Sequence, residues 1–374
     1  MIRPGSVTLG TFNIAELGRI ANRNDHGWVF LARICSRFDL LAIQEVADNL
    51  EGLLHLRKKL SGNFSLVISD MTGTFPGTRG NPERLAFLYR PERIRHTGLA
   101  SDITYDRSQV TANLFEHRLD FDQAWEQHVE RLGAWQERCR QAEAAGKRKP
   151  SRPSLILPRF LTFIRQPHCA SFEIIGKNGA PSLSLLAVNA HLLYGEDPRE
   201  RRWEFEALLE WLAVRAKQRE NLYARCMIML GDCNLEFESA GIKRDEINEQ
   251  LKELNSTRLK SKHAAKVNFP LLTPHPEKGE LRTNARQHQT YDQIALFAHD
   301  DELPSSDKNA GAGQGGPNAY DYGVFNFSDL IAEALHDKAF KALSSDDRDY
   351  IYRRCKNHIS DHLPAWIRLP LPGA

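Results

Sequence analysis

Short apolar runs rich in β-branched and aromatic residues recur along most of the chain, with amphipathic stretches between them. Their length and composition are typical of β-strands. We therefore predict strands at residues 6–14, 39–46, 65–70, 84–90, 159–165, 169–175, 182–193, 226–232, 290–297 and 364–369.

Helices are predicted where apolar positions recur every three or four residues. These stretches are at about 26–37, 48–60, 198–219, 245–256 and 328–341. In the third of them, Pro198 lies where a helix can begin, and Leu208 and Leu212 share one face. Strands dominate and only some alternate with helices, which favours two sheets packed face to face with helices outside.

Two segments interrupt this pattern. Residues 112–150 predict a long charged helix with a single apolar stripe, followed at 147–153 by the basic, proline-rich "KRKPSRP". The basic run is either a solvated connection or a contact for a phosphate backbone. The stretch 305–323 is rich in glycine but lacks the spacing and the lysine of a nucleotide-binding loop, so we predict a mobile surface loop. The stripe comprises Phe121, Trp125, Val129, Leu132 and Trp135.

Charge and cysteine content narrow the setting. Fifty basic and 48 acidic residues leave almost no net charge, which excludes an overall basic footprint for nucleic acid but not a local patch. No apolar run approaches the roughly 18 residues of a membrane helix, and the N-terminus lacks a signal-peptide pattern. The six cysteines form no C-x-x-C pair. We expect a cytoplasmic protein with buried free thiols and no membrane contact.

Polar residues with catalytic potential follow several predicted strands directly. Because strand ends meet at one rim of a sheet, these residues can converge there. Carboxylates suit Mg²⁺, amides can bind a phosphate oxygen or a water molecule, and two histidines can act as acid and base. Together they predict a metal-assisted phosphodiester hydrolase. The residues are Asn13, Glu45, His191, Asp232, Asn234, Asp292, Asp361 and His362.

The motifs "TFNI", "AIQEV", "ERLAFLYRPERI", "VNAHL", "GDCN", "YDQI" and "SDHLP" occur in this order over nearly the whole chain. The series resembles the endonuclease/exonuclease/phosphatase superfamily. The resemblance implies an α/β fold, a four-layered α-β-β-α sandwich like that of deoxyribonuclease I, as a single domain over residues 1–374. Compact members of the superfamily lack the long insertion found here at about 101–157, where specificity or a partner could reside.

The resemblance also implies roles for individual residues. Glu45 matches the metal-binding glutamate, and Asp361 matches the acid beside the metal and the phosphate. Asp232 and Asn234 match the pair that orients the attacking water and the phosphate. His362, held by Asp292, is the expected general base or transition-state donor, and Asn13 contacts the phosphate.

The segment "NPERLAFLYRP" indicates the deoxyribonuclease I-like branch, in which Glu83 would orient His191 as the leaving-group acid. Some features of that branch are missing. Ala47 stands where the nuclease has a minor-groove arginine, "GNP" replaces a minor-groove tyrosine, and the phosphate-binding arginine is not at its usual place. Arg159 is the candidate substitute.

These features predict a Mg²⁺-dependent phosphodiesterase, with Mn²⁺ as a substitute ion, that acts on nucleic acid and most readily on DNA as an endonuclease or nickase. One alternative is a hydrolase of lipid or inositol phosphate headgroups with the same fold. The other is a catalytically silent binding module.

Overall fold

Alternation of apolar side chains produces strands that assemble into two sheets. The computed structural model describes residues 3–72, 82–195, 197–217, 223–224, 226–235, 266–298 and 302–373. Their strands are β1 (Ser6–Leu17), β2 (Leu40–Ala47), β3 (Ser65–Ile68), β4 (Glu83–Tyr89), β5 (Ile94–Asp102), β6 (His168–Ile174), β7 (Leu183–His191), β8 (Cys226–Asp232), β9 (Lys266–Asn268), β10 (Asp292–Ala298), β11 (Asp321–Val324) and β12 (Ala365–Pro370).

Most of the helices cover the outer faces of these sheets. The helices in the described residues are α1 (Asp25–Cys35), α2 (Glu51–Lys59), α3 (Arg107–Glu116), α4 (Arg118–Ala144), α5 (Pro198–Lys217), α6 (Phe327–His336) and α7 (Ser345–His358). Of these, α3 and α4 contribute to neither of the apolar clusters that join helices to sheets. The first sheet has the strand order β11-β12-β1-β2-β4-β3, and the second has β5-β6-β7-β8-β10-β9. The pairs β1–β2 and β7–β8 are parallel.

Three apolar clusters define four layers. One cluster lies between the sheets, for example Leu9 of β1 and Ile228 of β8. A second packs α1, α2, α6 and α7 onto the first sheet, and a third packs α5 onto the second sheet, through residues such as Leu208. The predicted α-β-β-α sandwich is therefore confirmed.

The period-two alternation of a strand also decides which polar residues face the space between the sheets. In β8, Cys226, Ile228 and Leu230 belong to the inter-sheet cluster, so Asp232 continues the same face. In β10, Ile294 and Leu296 face inward in the same way. Asp292 lies two residues before Ile294 and therefore shares their face. The apolar core between the sheets thus leads directly into a polar site at one end.

The local predictions succeeded for most elements but failed in specific places. Residues 159–165 form no strand, because Phe163 is buried against the rings of Tyr105 and Phe160 rather than in a ladder. The short strands β9 and β11, the strand β5 and the polar helix α7 were not predicted. The predicted helix at 245–256 lies outside the described residues.

The two interrupting segments were predicted only in part. The 112–150 stretch contains the end of α3 and the whole of α4, which meet at His117. Two residues of its apolar stripe are exposed, Trp125 at 57% and Val129 at 51%, and the other three are half-buried. The glycine-rich stretch lies mostly at the surface, with a 3-10 helix at Ser306–Gly311 and a buried Asn309, and its mobility stays a prediction. No helix among the described residues has the length and apolar character needed to cross a bilayer.

Candidate active site

A cleft of about 980 Å³ opens at the end of the inter-sheet space where β1, β7 and β8 terminate. Its lining includes most of the residues that the sequence singled out at strand ends. These are Glu45, Glu83, His191, Asp232, Asn234, Asp361 and His362.

One histidine belongs to the second sheet and is held by a carboxylate of the first sheet. His191 ends β7, and its Nδ1 lies 2.5 Å from Oε1 of Glu83, the first residue of β4. Arg165 Nε lies 2.8 Å from the same Glu83 oxygen. Burial opposes the charged form of His191, but the Glu83 carboxylate outweighs burial and raises the pKa of the imidazole. The pair spans both sheets, so His191 is fixed in one orientation.

The second histidine is held by Asp292. His362 Nδ1 lies 2.9 Å from Asp292 Oδ2. The Ser360 hydroxyl positions the preceding turn, since it donates to Asn13 O at 2.7 Å and accepts from His362 N at 3.1 Å. Burial lowers the pKa of His362, but Asp292 and Asp232 outweigh it, so the pKa is raised well above its usual value.

Asp232 lies at the centre of the cluster and is 1% exposed. Its carboxylate accepts from Asn13 Nδ2 and from Asn234 N, both at 2.9 Å. Burial raises the pKa of Asp232, but the two histidines and these donors more than offset it, so the pKa is lowered. Gly231 precedes Asp232 because a Cβ there would collide with the backbone of Ala190 on the neighbouring β7.

Asn234 is oriented by its left-handed backbone conformation and by a hydrogen bond to the residue that follows β7. Its Nδ2 donates to Leu192 O at 2.8 Å, and its φ of 51° is in the left-handed region. Glu45 and Glu16 also have positive φ, at 58° and 50°. Such conformations cost about 1–3 kcal/mol each and concentrate at functional sites.

Glu45, near the end of β2, also lines the cleft. Its Oε1 accepts from Asn13 Nδ2 at 3.0 Å and its Oε2 from Glu16 N at 2.9 Å. Irregular pairing between β1 and β2 around this position turns the Glu45 carboxylate towards Asn13. Asp361, the other acid predicted to bind metal, is ion-paired with Lys356 at 3.0 Å.

The donor set fits a divalent cation. Among the described residues, ligand atoms of Asp232, Asp292 and His362 lie within 4.8 Å of one another. The buried Oδ1 of Asn13 has no hydrogen-bond partner in the described part of the chain. Carboxylate and amide oxygens suit Mg²⁺ or Mn²⁺, whereas an imidazole nitrogen is a softer ligand. The group whose ligand atoms lie closest together, Asp232, Asp292 and His362, therefore differs from the predicted metal ligands Glu45 and Asp361. Both predicted ligands line the same cleft.

Arg159 is not brought to this cleft. It is about half exposed, at 48%, and lies 3.5 Å from Asp120 on α4. Arg165, rather than Arg159, lies beside Glu83 and His191. Its position in the sequence, just before β6, could have indicated this. Arg165 precedes β6, and because β6 runs antiparallel to β7, the start of β6 lies beside the end of β7 that carries His191.

A buried glutamate holds together the two segments that carry Arg165 and His191. Glu204 on α5 accepts from Ile164 N at 2.6 Å and from Leu193 N, so it joins the segment of Arg165 to the segment that follows His191. Burial raises the pKa of Glu204 to about 7. Sequence reasoning missed this residue because a glutamate in an amphipathic helix normally faces solvent.

Comparisons with known proteins agree with this architecture. No protein-family model matches the chain. Among curated proteins, deoxyribonuclease-1 of Oryctolagus cuniculus is 32% identical over 95 residues, which cover 24% of this chain and only 32% of the relative.

Solved structures with the same arrangement cover nearly the whole chain. An endonuclease/exonuclease/phosphatase family protein from Bacteroides thetaiotaomicron is 12% identical with a TM-score of 0.45, over 99% of this chain and 96% of that one. The human Nocturnin catalytic domain is 14% identical with a TM-score of 0.46, over 97% and 93%. The ordered motifs, the two-sheet sandwich and the match to deoxyribonuclease-1 make this chain similar to the endonuclease/exonuclease/phosphatase superfamily.

Proposed function

We propose that this protein is a divalent-metal-dependent phosphodiester hydrolase that cleaves nucleic acid, with DNA as the favoured substrate and endonucleolytic cleavage or nicking as the reaction. The observation that carries the proposal is the placement of two histidines around one carboxylate. His191 Nε2 lies 3.7 Å and His362 Nε2 3.6 Å from Asp232 Oδ2. Each histidine has its own carboxylate on Nδ1, which leaves Nε2 directed at the cleft.

This geometry provides proton transfer on two sides of a bound phosphate. Asp232 and Asn234 orient the attacking water. His362, oriented by Asp292, either takes the proton of that water or donates a hydrogen bond to the transition state. His191, oriented by Glu83, donates its proton to the leaving oxygen.

Charge on the phosphate is neutralised by two means. The Arg165 side chain lines the cleft beside His191 and can donate to a non-bridging phosphate oxygen. A Mg²⁺ or Mn²⁺ held by Glu45 and Asp361, which both line the cleft, would withdraw charge from the phosphate. The Asn13 amide supports the same region from β1.

The preference for DNA rests on the relative that carries the name deoxyribonuclease-1 and on the Glu83–His191 pair. The nearly neutral net charge does not exclude a local contact for phosphate, and Arg19 is one cation of the cleft lining.

The test is cleavage of supercoiled plasmid DNA with Mg²⁺ or Mn²⁺ by wild type, His191→Ala and His362→Ala. His26→Ala is the matched control, since His26 is exposed on α1. We expect metal-dependent nicking that both site variants lose by at least about 100-fold and the control retains. Nicking that survives in both site variants, or a wild type that cleaves neither DNA nor RNA, would contradict the proposal.

A further inference from the structure

One wall of the cleft has an aromatic and cationic character that the proposed hydrolysis does not use. It is formed by the loop before β10 and by α7. The Arg286 guanidinium lies 3.9 Å from the ring centroid of Tyr352, and Asp349 holds the guanidinium through a 2.9 Å contact. We name Arg286 and Tyr352 the stacking pair. Both line the cleft.

The stacking pair is connected rigidly to the catalytic groups. Asn284, two residues before Arg286, is 6% exposed and forms an antiparallel bridge with His362. Ala285 N donates to Asp361 O at 2.8 Å. On α7, Lys356 is one helical turn from Tyr352 and is ion-paired with Asp361 at 3.0 Å. A substrate bound at His362 therefore has the stacking pair beside it.

The charges on this wall decide whether it can bind a phosphate group or an uncharged base of the substrate. Its two cations are already compensated, Arg286 by Asp349 and Lys356 by Asp361. A second phosphate group would need positive charge that is not already paired. An uncharged base needs instead an exposed planar group, and the Arg286 guanidinium provides one, because it packs over the Tyr352 ring while its side chain stays 45% exposed.

We propose that Arg286 and Tyr352 form a stacking subsite for a nucleobase of the nucleotide next to His362. This inference rests on the proposed nuclease function and adds a recognition element to it. Base stacking on aromatic and arginine planes tolerates any base, because every base has a π-face. The subsite would thus favour substrates with an intact base at this position without reading sequence.

The test uses a short oligonucleotide in which a single abasic residue is moved stepwise across the cleaved bond. For wild type, we expect KM to rise about tenfold when the abasic residue occupies the subsite position, and to change little at other positions. In Arg286→Ala and Tyr352→Ala, the intact oligonucleotide should have this raised KM and the abasic penalty should vanish. kcat should change less than about threefold in both variants, because neither side chain takes part in proton transfer.

The chain offers matched controls. Arg354 lies over Tyr350 at 5.1 Å on the same helix, so Arg354→Ala removes a similar stacked arginine that does not line the cleft. Tyr352→Phe keeps the ring and should behave as wild type, which separates lost stacking from failed folding. Arg286→Lys keeps the positive charge but lacks the planar guanidinium group. Its KM should therefore match that of Arg286→Ala.

Different outcomes identify which idea fails. A wild type that cleaves no oligonucleotide overturns the proposed function. Cleavage with no abasic penalty at any position overturns the stacking subsite alone. The Arg286→Lys variant could keep the KM of wild type while the abasic residue has no effect at any position. That result would assign this wall to phosphate binding and would also overturn the stacking subsite.

Discussion

The Nε2 atom of His362 lies 3.6 Å from the Oδ2 atom of Asp232. His191 approaches the same oxygen at 3.7 Å from the neighbouring strand β7. One buried carboxylate therefore faces two imidazoles, each of which is anchored on its far nitrogen by a separate acid. This arrangement makes Asp232 the residue on which both histidines depend.

Asp232→Asn should reduce kcat on plasmid DNA by about 10³-fold, because the amide keeps the shape but removes the negative charge that orients the water and faces the Nε2 atoms of both histidines. Steady-state kinetics at saturating metal measures this loss. Asp307→Asn, in the 3-10 helix Ser306–Gly311 and outside the cleft lining, is the control. A variant at Asp232 that keeps a tenth of wild-type activity would contradict the central role.

Arg165→Ala should reduce kcat/KM by about 10²-fold, since it removes a cation next to Glu83 and His191 where phosphate charge would develop. Arg159→Ala should change kcat/KM less than twofold, because Arg159 contacts Asp120 outside the cleft. Kinetics of the two variants with one oligonucleotide substrate compares them directly. Equal losses in both, or a loss only in Arg159→Ala, would count against the placement of Arg165.

Glu204 should make folding stability depend on pH. The pKa of its buried carboxyl is raised from 4.5 to about 7, so the folded protein holds a proton that the unfolded chain releases. This contribution to the free energy of unfolding is present below about pH 4.5 and is lost as the pH rises through about 7. Its total is on the order of 3 kcal/mol.

Urea unfolding of wild type and Glu204→Gln between pH 4.5 and 8 isolates this effect. The stability difference between them should move in favour of the glutamine variant as the pH rises. Glu206→Gln is the control, because Glu206 is about a third exposed on the same helix and is ion-paired with Arg202. A pH-independent difference for Glu204→Gln would contradict the buried, protonated state.

Cys233 should be inert although it lies between Asp232 and Asn234. Its side chain is fully buried, and burial raises the pKa of the thiol well above its usual value, so almost no thiolate forms. Under native conditions iodoacetamide should label Cys139 first, since Cys139 alone of the six cysteines is partly exposed. Peptide mass spectrometry measures the order, and urea-unfolded protein should label at all six. Early labelling at Cys233 would show that the turn opens to solvent.

Much of the fold and of the candidate site could be predicted from local sequence. Alternation in β8 and β10 places Asp232 and Asp292 on the same face as the apolar residues before or after them, and that face is the one between the sheets. A polar residue that continues the inward face of a strand must emerge at the rim of the core. His191 and Asn13 follow the same logic, since they continue the inward faces of β7 and β1, whereas His362 lies in the loop before β12 and is brought to the site by its bridge to Asn284.

Other features depended on neighbours that are distant in sequence. The strand β9 has three residues and exists because β10 supplies its hydrogen-bond partners. Arg165 was overlooked in favour of Arg159, because only the antiparallel pairing of β6 with β7 decides which arginine lies beside His191. Glu204, in a helix far from the motifs, is buried through two backbone amides that approach it only in the folded chain.

The sequence by itself determined the strand pattern, the two-sheet class and the residue types at the strand ends, because these follow from short-range periodicity and backbone geometry. The tertiary structure alone decided which donors converge on Asp232 and which arginine faces His191. It also decided that the Arg286 guanidinium lies over the ring of Tyr352, a residue 66 positions further along the chain. These relations arise from long-range packing of two sheets and a helix, which no local pattern of apolar and polar residues encodes.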